Sequence, residues 1–216
     1  EPVEFTTLRQ FGDPPTFGRI MADALRESLD KVPAERRDAT RVLFTAHSVP
    51  TAADEAAGGP EDSHLYSRQV AEASRLIAEA AGVAEYDVVW QSRSGNPRTP
   101  WLEPDIVDHT TALAEEGVRA VVVSPVGFIS DHMEVIWDLD TELVDAARDL
   151  DVHVERTRTA GPEQDFAGMV VDIIDELVEN DPPASLGEVT VQGCTVDGEA
   201  CRPGCCQVSR PNSRTA

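Results

Sequence analysis

Short β-branched apolar runs alternate along this chain with longer stretches in which apolar residues recur every three or four positions. The first periodic stretch predicts a helix over 15–31, with Phe17, Ile20, Met21, Ala24 and Leu25 on one stripe. A strand over 41–46 follows, and then a polar stretch, 51–62, which is expected to be a loop because Gly58-Gly59-Pro60 breaks regular structure. Asp62 or Ser63 is positioned to cap a second helix running to Ala81, with Leu65, Ala73, Leu76, Ile77 and Ala80 inward and Gly82 as its stop. Strand 86–90 leads into 91–104, where Pro97, Pro100 and Pro104 exclude a helix. The remaining pattern gives a helix over 103–116, a strand over 118–123, a helix containing Glu134 and running to Leu150, a strand over 152–155, and a helix over 162–180. The last of these has a broad apolar face formed by Val170, Val171, Ile173, Ile174, Leu177 and Val178.

One helix followed by four strand–helix units is the signature of an α/β fold, a parallel sheet flanked by helices, because right-handed crossovers place successive helices over the sheet faces. The pattern alone also suits a response regulator or a flavodoxin. No glycine-rich phosphate loop follows any of the strands, which weighs against nucleotide or flavin phosphate binding. The organisation expected is a lead-in helix and connection over 1–40, an α/β domain over 41–180, and a linker with a cysteine-rich tail over 181–216.

Charge narrows the range of partners. Forty acidic residues stand against 18 basic ones, a net charge of −22. Such a surface repels phosphate backbones and anionic bilayers, so nucleic acid and membrane surfaces are poor partners, whereas cations are attracted. No apolar run approaches the roughly 20 residues that span a bilayer, and the expectation is a cytoplasmic protein.

Two segments carry candidate chemistry. After the run Val121–Val123 come Ser124-Pro125, a short loop, and a helical segment with Glu134, Asp138 and Glu142 at i, i+4 and i+8. That spacing lines three carboxylates along one side of a helix, about 6 Å apart per step. Like charges so placed repel, and either solvent or a hard cation must compensate them. The second segment is the apolar strand that delivers His47 to its carboxyl end, where Pro50 stops further extension. Ligands of open parallel sheets bind beyond the carboxyl ends of the strands, so His47 and the Glu134 helix are expected to face one crevice. An imidazole opposite a carboxylate suits borderline divalent iron or zinc, or proton transfer near neutral pH.

At these residues the sequence resembles the ferrochelatases, which insert ferrous iron into a porphyrin. The resemblance is carried by FTAHSVP around His47, QSRSGNPRTPWLEPDI over 91–106, and SPVGFISDHMEVIWDLDTE over 124–142, in the family's order and separation. It extends from about residue 5 to Asn180 and is strongest to actinobacterial enzymes, many of which act on coproporphyrin III and not protoporphyrin IX. The resemblance implies that His47 binds iron or accepts pyrrole protons, with Glu134 facing it across the ring. It implies that Asp138 and Glu142 lead metal inward, that His132 lies near the site, and that Ser92, Arg93 and Trp101 belong to a loop lining the porphyrin cleft. Family members exceed 300 residues and have two similar domains, so these 216 residues read as an amino-terminally truncated form matching the second half. A cobalt or nickel chelatase of a corrinoid-type pathway, and a non-catalytic metal-binding or iron–sulfur remnant, are the competing readings.

All four cysteines, Cys194, Cys201, Cys205 and Cys206, fall within thirteen residues of the tail. Three chemistries accept such a group: a disulfide framework, structural zinc, or an iron–sulfur cluster. The resemblance implies the last, since some ferrochelatases hold a [2Fe-2S] cluster on carboxyl-terminal cysteines. In those proteins one ligand comes from upstream, and residues 1–193 contain no cysteine.

Overall fold

The computed structural model of the chain describes residues 8–58 and 63–189. Its elements, in order, are α1 (Pro15–Lys31), a 3₁₀ turn (Ala34–Ala39), β1 (Thr40–His47), α2 (Thr51–Ala56), α3 (Leu65–Ala81), β2 (Tyr86–Gln91), α4 (Ile106–Glu115), β3 (Ala120–Ser124), α5 (Met133–Trp137), a π-helical segment (Asp138–Leu143), α6 (Val144–Asp149), β4 (His153–Arg156) and α7 (Gln164–Glu179). The four strands form one parallel sheet in the order β2-β1-β3-β4, so the expected α/β class is the observed one.

Alternation along the strands builds a core on each face of the sheet. Val42, Phe44 and Ala46 of β1 and Val122 of β3 pack with Phe17, Met21, Leu25, Ile77 and Met169 from α1, α3 and α7. Leu43, Val89, Val121 and Val123 point the other way, into Ile106 and Leu113 of α4 and into the α5–α6 helix. Helix α1 of the expected lead-in is therefore part of the packing, since its Phe17, Met21 and Leu25 are almost wholly buried.

Four local expectations need correction. The polar stretch 51–62 is not a loop throughout, because Thr51–Ala56 is helical. Its Asp54 is 1% exposed, and its carboxylate accepts from the backbone N–H of Ser67 at 2.9 Å, the Ser67 hydroxyl at 2.8 Å and His64 Nδ1 at 2.9 Å. Asp54 thus caps α3 from outside the helix, where Asp62 or Ser63 was expected to do so; an orphan N–H of the first turn accepts any well-placed carboxylate. Ala80, expected inward, is exposed on α3. The helix expected over 103–116 begins only at Ile106, since Pro104 cannot continue a helix and Asp105 caps it by accepting from Val107 N at 2.8 Å. Gly82 ends α3 at φ 75°, as its lack of a Cβ permits.

The helix after β3 is continuous from Met133 to Asp149 but widens to π geometry over Asp138–Leu143. Val135, Leu139, Leu143 and Ala147 are all fully buried. In a regular α-helix a four-residue repeat rotates by about 40° per step, and this row would wind out of the core. A wider turn with i→i+5 bonding absorbs that drift. The inward row and the π segment are therefore one solution to one packing requirement.

Candidate active site at the carboxyl edge of the sheet

The chain leaves β1 toward β2 on one side and reaches β3 on the other, so the crevice above β1 and β3 is the switch point of this sheet. His47 is the last residue of β1 and pairs in register with Gln91. Strand β1 overshoots β3, whose last partner is Phe44↔Ser124, and the loop leaving β3 covers the exposed ladder by donating Gly127 N–H to Thr45 O at 3.2 Å. Only glycine fits there, because a Cβ at 127 would lie 2.5 Å from Ala46 Cβ. This close approach brings the loop, and the helix behind it, over the histidine.

His47 Nε2 stands 3.5 Å from Glu134 Oε1. The imidazole direction is set by a short contact of Nδ1 with the Ser48 carbonyl oxygen. A carbonyl only accepts, so Nδ1 donates to it, and Nε2 is the ring nitrogen turned toward Glu134. Ser48 is itself fixed, its N–H donating to Gln91 O at 2.7 Å and its hydroxyl to Leu102 O at 2.9 Å. The Tyr66 hydroxyl donates to His47 O at 2.7 Å. Burial, reinforced by the negative charges of Asp54 and Glu134, pushes that phenol up to about 12, so it remains a donor through the neutral range.

Glu134 sits in the first turn of α5, where the positive end of the helix dipole favours a carboxylate. Its Oε1 is buried and has no hydrogen-bond partner. Nε2 and Oε1 thus face each other at 3.5 Å, a separation that a shared proton or a cation would bridge. Among the described residues, no group of three or more His, Cys, Asp or Glu residues is placed to hold an ion. The expected acidic row is accordingly no ready-made cage.

Its members nevertheless share one side of the helix, each preceding a buried residue of the inward row. Asp138 is half-buried and accepts from the Ser92 hydroxyl and from Gln91 Nε2 at 3.3 Å. Glu142 is exposed. His132 is exposed at the amino end of α5, its ring edge-on to Phe128 with centroids 5.2 Å apart. Ser92 adopts φ 66°, a left-handed conformation that costs a residue with a Cβ on the order of 1 kcal/mol. Arg93 lies along its own loop, donating to Pro97 O at 3.2 Å and standing 3.8 Å from Glu103. Trp101 bridges to Pro50 and keeps its indole N–H buried without a partner. A pocket of about 190 Å³ opens beneath this loop between Ser48, Trp90, Arg93 and Leu102. Cys194, Cys201, Cys205 and Cys206 lie outside the described residues.

Sequence reasoning missed several contributors. Tyr66, Ser48, Gln91, Gly127 and Asp54 shape the site through backbone contacts, which leave no periodic trace. It also passed over the exposed apolar group Ile129, Met133, Ile136 and Trp137 beside Glu134, of which Met133 is 79% exposed. The i, i+3, i+4 spacing of 133, 136 and 137 was the available signal.

The chain is similar over nearly all of its length to curated proteins that share one name. Coproporphyrin III ferrochelatase of Corynebacterium glutamicum is 53% identical over 223 residues, covering 100% of this chain and 60% of that protein. The protein of the same name from Nocardia farcinica is 54% identical over 206 residues, 95% of this chain and 58% of its own length. That of Corynebacterium diphtheriae is 46% identical over 220 residues, 97% and 58% respectively. The chain thus spans about 60% of the length of the curated relatives it matches. A solved cobalamin (vitamin B12) biosynthesis CbiX protein from Marinobacter aquaeolei VT8 is only remotely alike, with a TM-score of 0.43 and 13% identity over 65% of this chain and 98% of that one. The family model described as Ferrochelatase matches residues 1–178, a stretch that contains His47, Glu134 and the whole sheet, and the chain belongs to the ferrochelatase family.

Proposed function

We propose that this chain forms the iron-handling side of a coproporphyrin III ferrochelatase, which inserts Fe²⁺ into the macrocycle during haem biosynthesis. The observation that carries the reading is the facing of His47 Nε2 and the orphaned Glu134 Oε1 at 3.5 Å. The printed names of the relatives supply the porphyrin.

Porphyrin metallation meets three obstacles. The flat ring directs its nitrogen lone pairs inward, two pyrrole N–H protons must leave, and hydrated iron must shed water. His47 is placed to accept a pyrrole proton at Nε2. Glu134 accepts the ferrous ion on its unpaired oxygen and replaces part of its water shell. Glu142 and Asp138 form the approach along the helix, with Asp138 also bound to Ser92 and Gln91. The apolar group Ile129, Met133, Ile136 and Trp137, with Trp101, supplies a wall for a flat apolar ring, and Arg93 a cation for a propionate. Coproporphyrin III carries more carboxylates than protoporphyrin IX. Contacts of the rim with such a wall and cation hold the ring off planarity, binding energy away from the centre offsetting the strain.

The four cysteines fit a [2Fe-2S] cluster in donor chemistry. Bound there, it is a structural or regulatory group, and the acid–base work stays with His47 and Glu134. Among the described residues no helix is long and apolar enough to cross a membrane.

The test is anaerobic incubation of the protein with Fe²⁺ and either porphyrin, followed by absorbance. Coprohaem forming faster than protohaem is the expected result; neither product forming overturns the assignment. For the tail, about two iron and two sulfide per chain, lost in Cys194→Ser, is expected, and stoichiometric zinc without sulfide overturns it.

A further inference from the structure

We infer that Arg156 is a positioning residue for the reaction, locking the lengthwise register of the helix that carries Glu134. This rests on the reading of Glu134 as the carboxylate that receives iron. Arg156 ends β4, on the far side of β3 from His47. Its side chain is 17% exposed and grips the site helix at two separate points. Nε and Nη2 donate to the two oxygens of Asp140, at 2.6 and 3.0 Å, in a bidentate fork. Nη1 donates to Asp131 at 2.9 Å and to Thr157 O at 3.0 Å. Asp131 stands just before the helix, and Asp140 lies inside its π segment. The stretch between the two grips contains His132, Glu134 and Asp138.

Register is the quantity at stake. A π segment is a helix holding one residue more than its regular form, and such turns are seldom favoured on their own. Slipping by one residue turns every following side chain by about 100°. Asp140 would then leave the guanidinium, and Asp138 would leave Ser92 and Gln91. Packing of Leu139 and Leu143 opposes the slip from the core side, and Arg156 opposes it from the solvent side. The planar fork is what the task needs, since a point-like ammonium lacks the coplanar donors that fit both oxygens of Asp140 while a third donor reaches Asp131. Mutual repulsion among Asp131, Asp140 and the neighbouring carboxylates is relieved by the same cation, whose own charge these neighbours favour.

A residue that only stabilises the fold and one that sets register differ in coupling. If Arg156 holds register, its loss and the loss of Asp138 share one effect; if not, the two effects add. The experiment compares Arg156→Gln, Asp138→Asn and the double variant by two readouts. The first is the side-chain NH₂ resonance of buried Gln91 in ¹H–¹⁵N spectra, which reports its bond to Asp138 without any turnover. The second is kcat and KM for Fe²⁺. Arg156→Gln is expected to move the Gln91 signal to its position in Asp138→Asn, and to lower kcat at least 10-fold. Asp138→Asn is expected to change kcat less than 2-fold further in that background, and Arg156→Lys to restore little. Should Arg156→Gln fail to fold, Asp140→Asn removes the fork from the other end and is expected to give the same Gln91 shift. An unmoved Gln91 signal, or strictly additive effects, overturns the inference. Wild-type protein without iron insertion, but with the Gln91 shift in the variants, defeats the proposed function and leaves the positioning role standing.

Discussion

The two sides of the candidate site are built by different forces. His47 ends a strand and is fixed by uncharged contacts that each involve a backbone atom: its carbonyl accepts from the Tyr66 hydroxyl, its ring Nδ1 meets the Ser48 carbonyl, and Gly127 presses the next loop onto Ala46. Glu134 stands on a helix with an irregular turn, fixed by an apolar row below and by charged contacts of Asp131, Asp138 and Asp140 above. One side is held by shape, the other by charge. The histidine side should therefore respond to volume and the glutamate side to polarity.

The strongest disturbance is the removal of either reacting group. His47→Ala is expected to lower kcat for metallation by about 10²–10⁴-fold while porphyrin binding, followed by fluorescence quenching, stays nearly constant. Glu134→Gln keeps the shape and removes the charge. It is expected to match that loss, whereas Glu142→Gln chiefly raises the KM for Fe²⁺. Equal and negligible effects at 134, 138 and 142 would mean a solvated acidic face.

Next in size is Gly127→Ala, the volume test of the histidine side. The added methyl meets Ala46, and overpacking of this kind costs about 1–3 kcal/mol in denaturant unfolding. Its effect on stability should be insensitive to salt. A variant as stable as wild type would show that the loop gives way.

Asp54→Ala is smaller. It removes the cap of α3, for a loss of about 0.5–2 kcal/mol, and shifts Tyr66 along with the helix end. The expected sign in activity is a modest fall through His47, and none if Tyr66 holds its place unaided.

The smallest effect is a control distant from both sides. Arg9 holds the Glu176 carboxyl below its ordinary value, by hydrogen bonding first and charge second, against the opposing effect of burial. A depressed carboxyl pKa stabilises the fold above the unfolded value, near 4.3, and that contribution disappears as pH falls through the lower folded value. Acid unfolding followed by circular dichroism should thus lose a component below about pH 4 that Glu176→Gln lacks. Identical acid profiles would remove the pair from the account.

How far the site could be read from the residues follows the same division. His47 at a strand end and Glu134 at the start of a helix were legible because apolar periodicity locates strand and helix ends, and a parallel sheet gathers those ends on one edge. The π segment was legible in principle: Val135, Leu139, Leu143 and Ala147 repeat every four residues, which a regular helix cannot keep buried. The helix at Thr51–Ala56 was not. Six residues carry too little periodicity to distinguish from a polar loop, and the partners of Asp54, ten and thirteen residues away, meet it only in the folded chain. Gly127 and Tyr66 act through single backbone atoms, and Arg156 through carboxylates 16 and 25 residues away. Such contacts exist only once the sheet order is in place.

Strand β4 has four residues, all only partly buried, and among the described residues a single neighbour in the sheet. Edge elements of this kind detach at a lower free energy than the core, so their amides exchange with solvent before those of β1. Each brief detachment carries Arg156 with it and lets go of Asp131 and Asp140 together. The rate at which the glutamate helix is freed is then the rate at which the weakest strand of the sheet frays. Deuterium uptake at 153–156 becomes a clock for motion at Glu134, although the two lie on different elements.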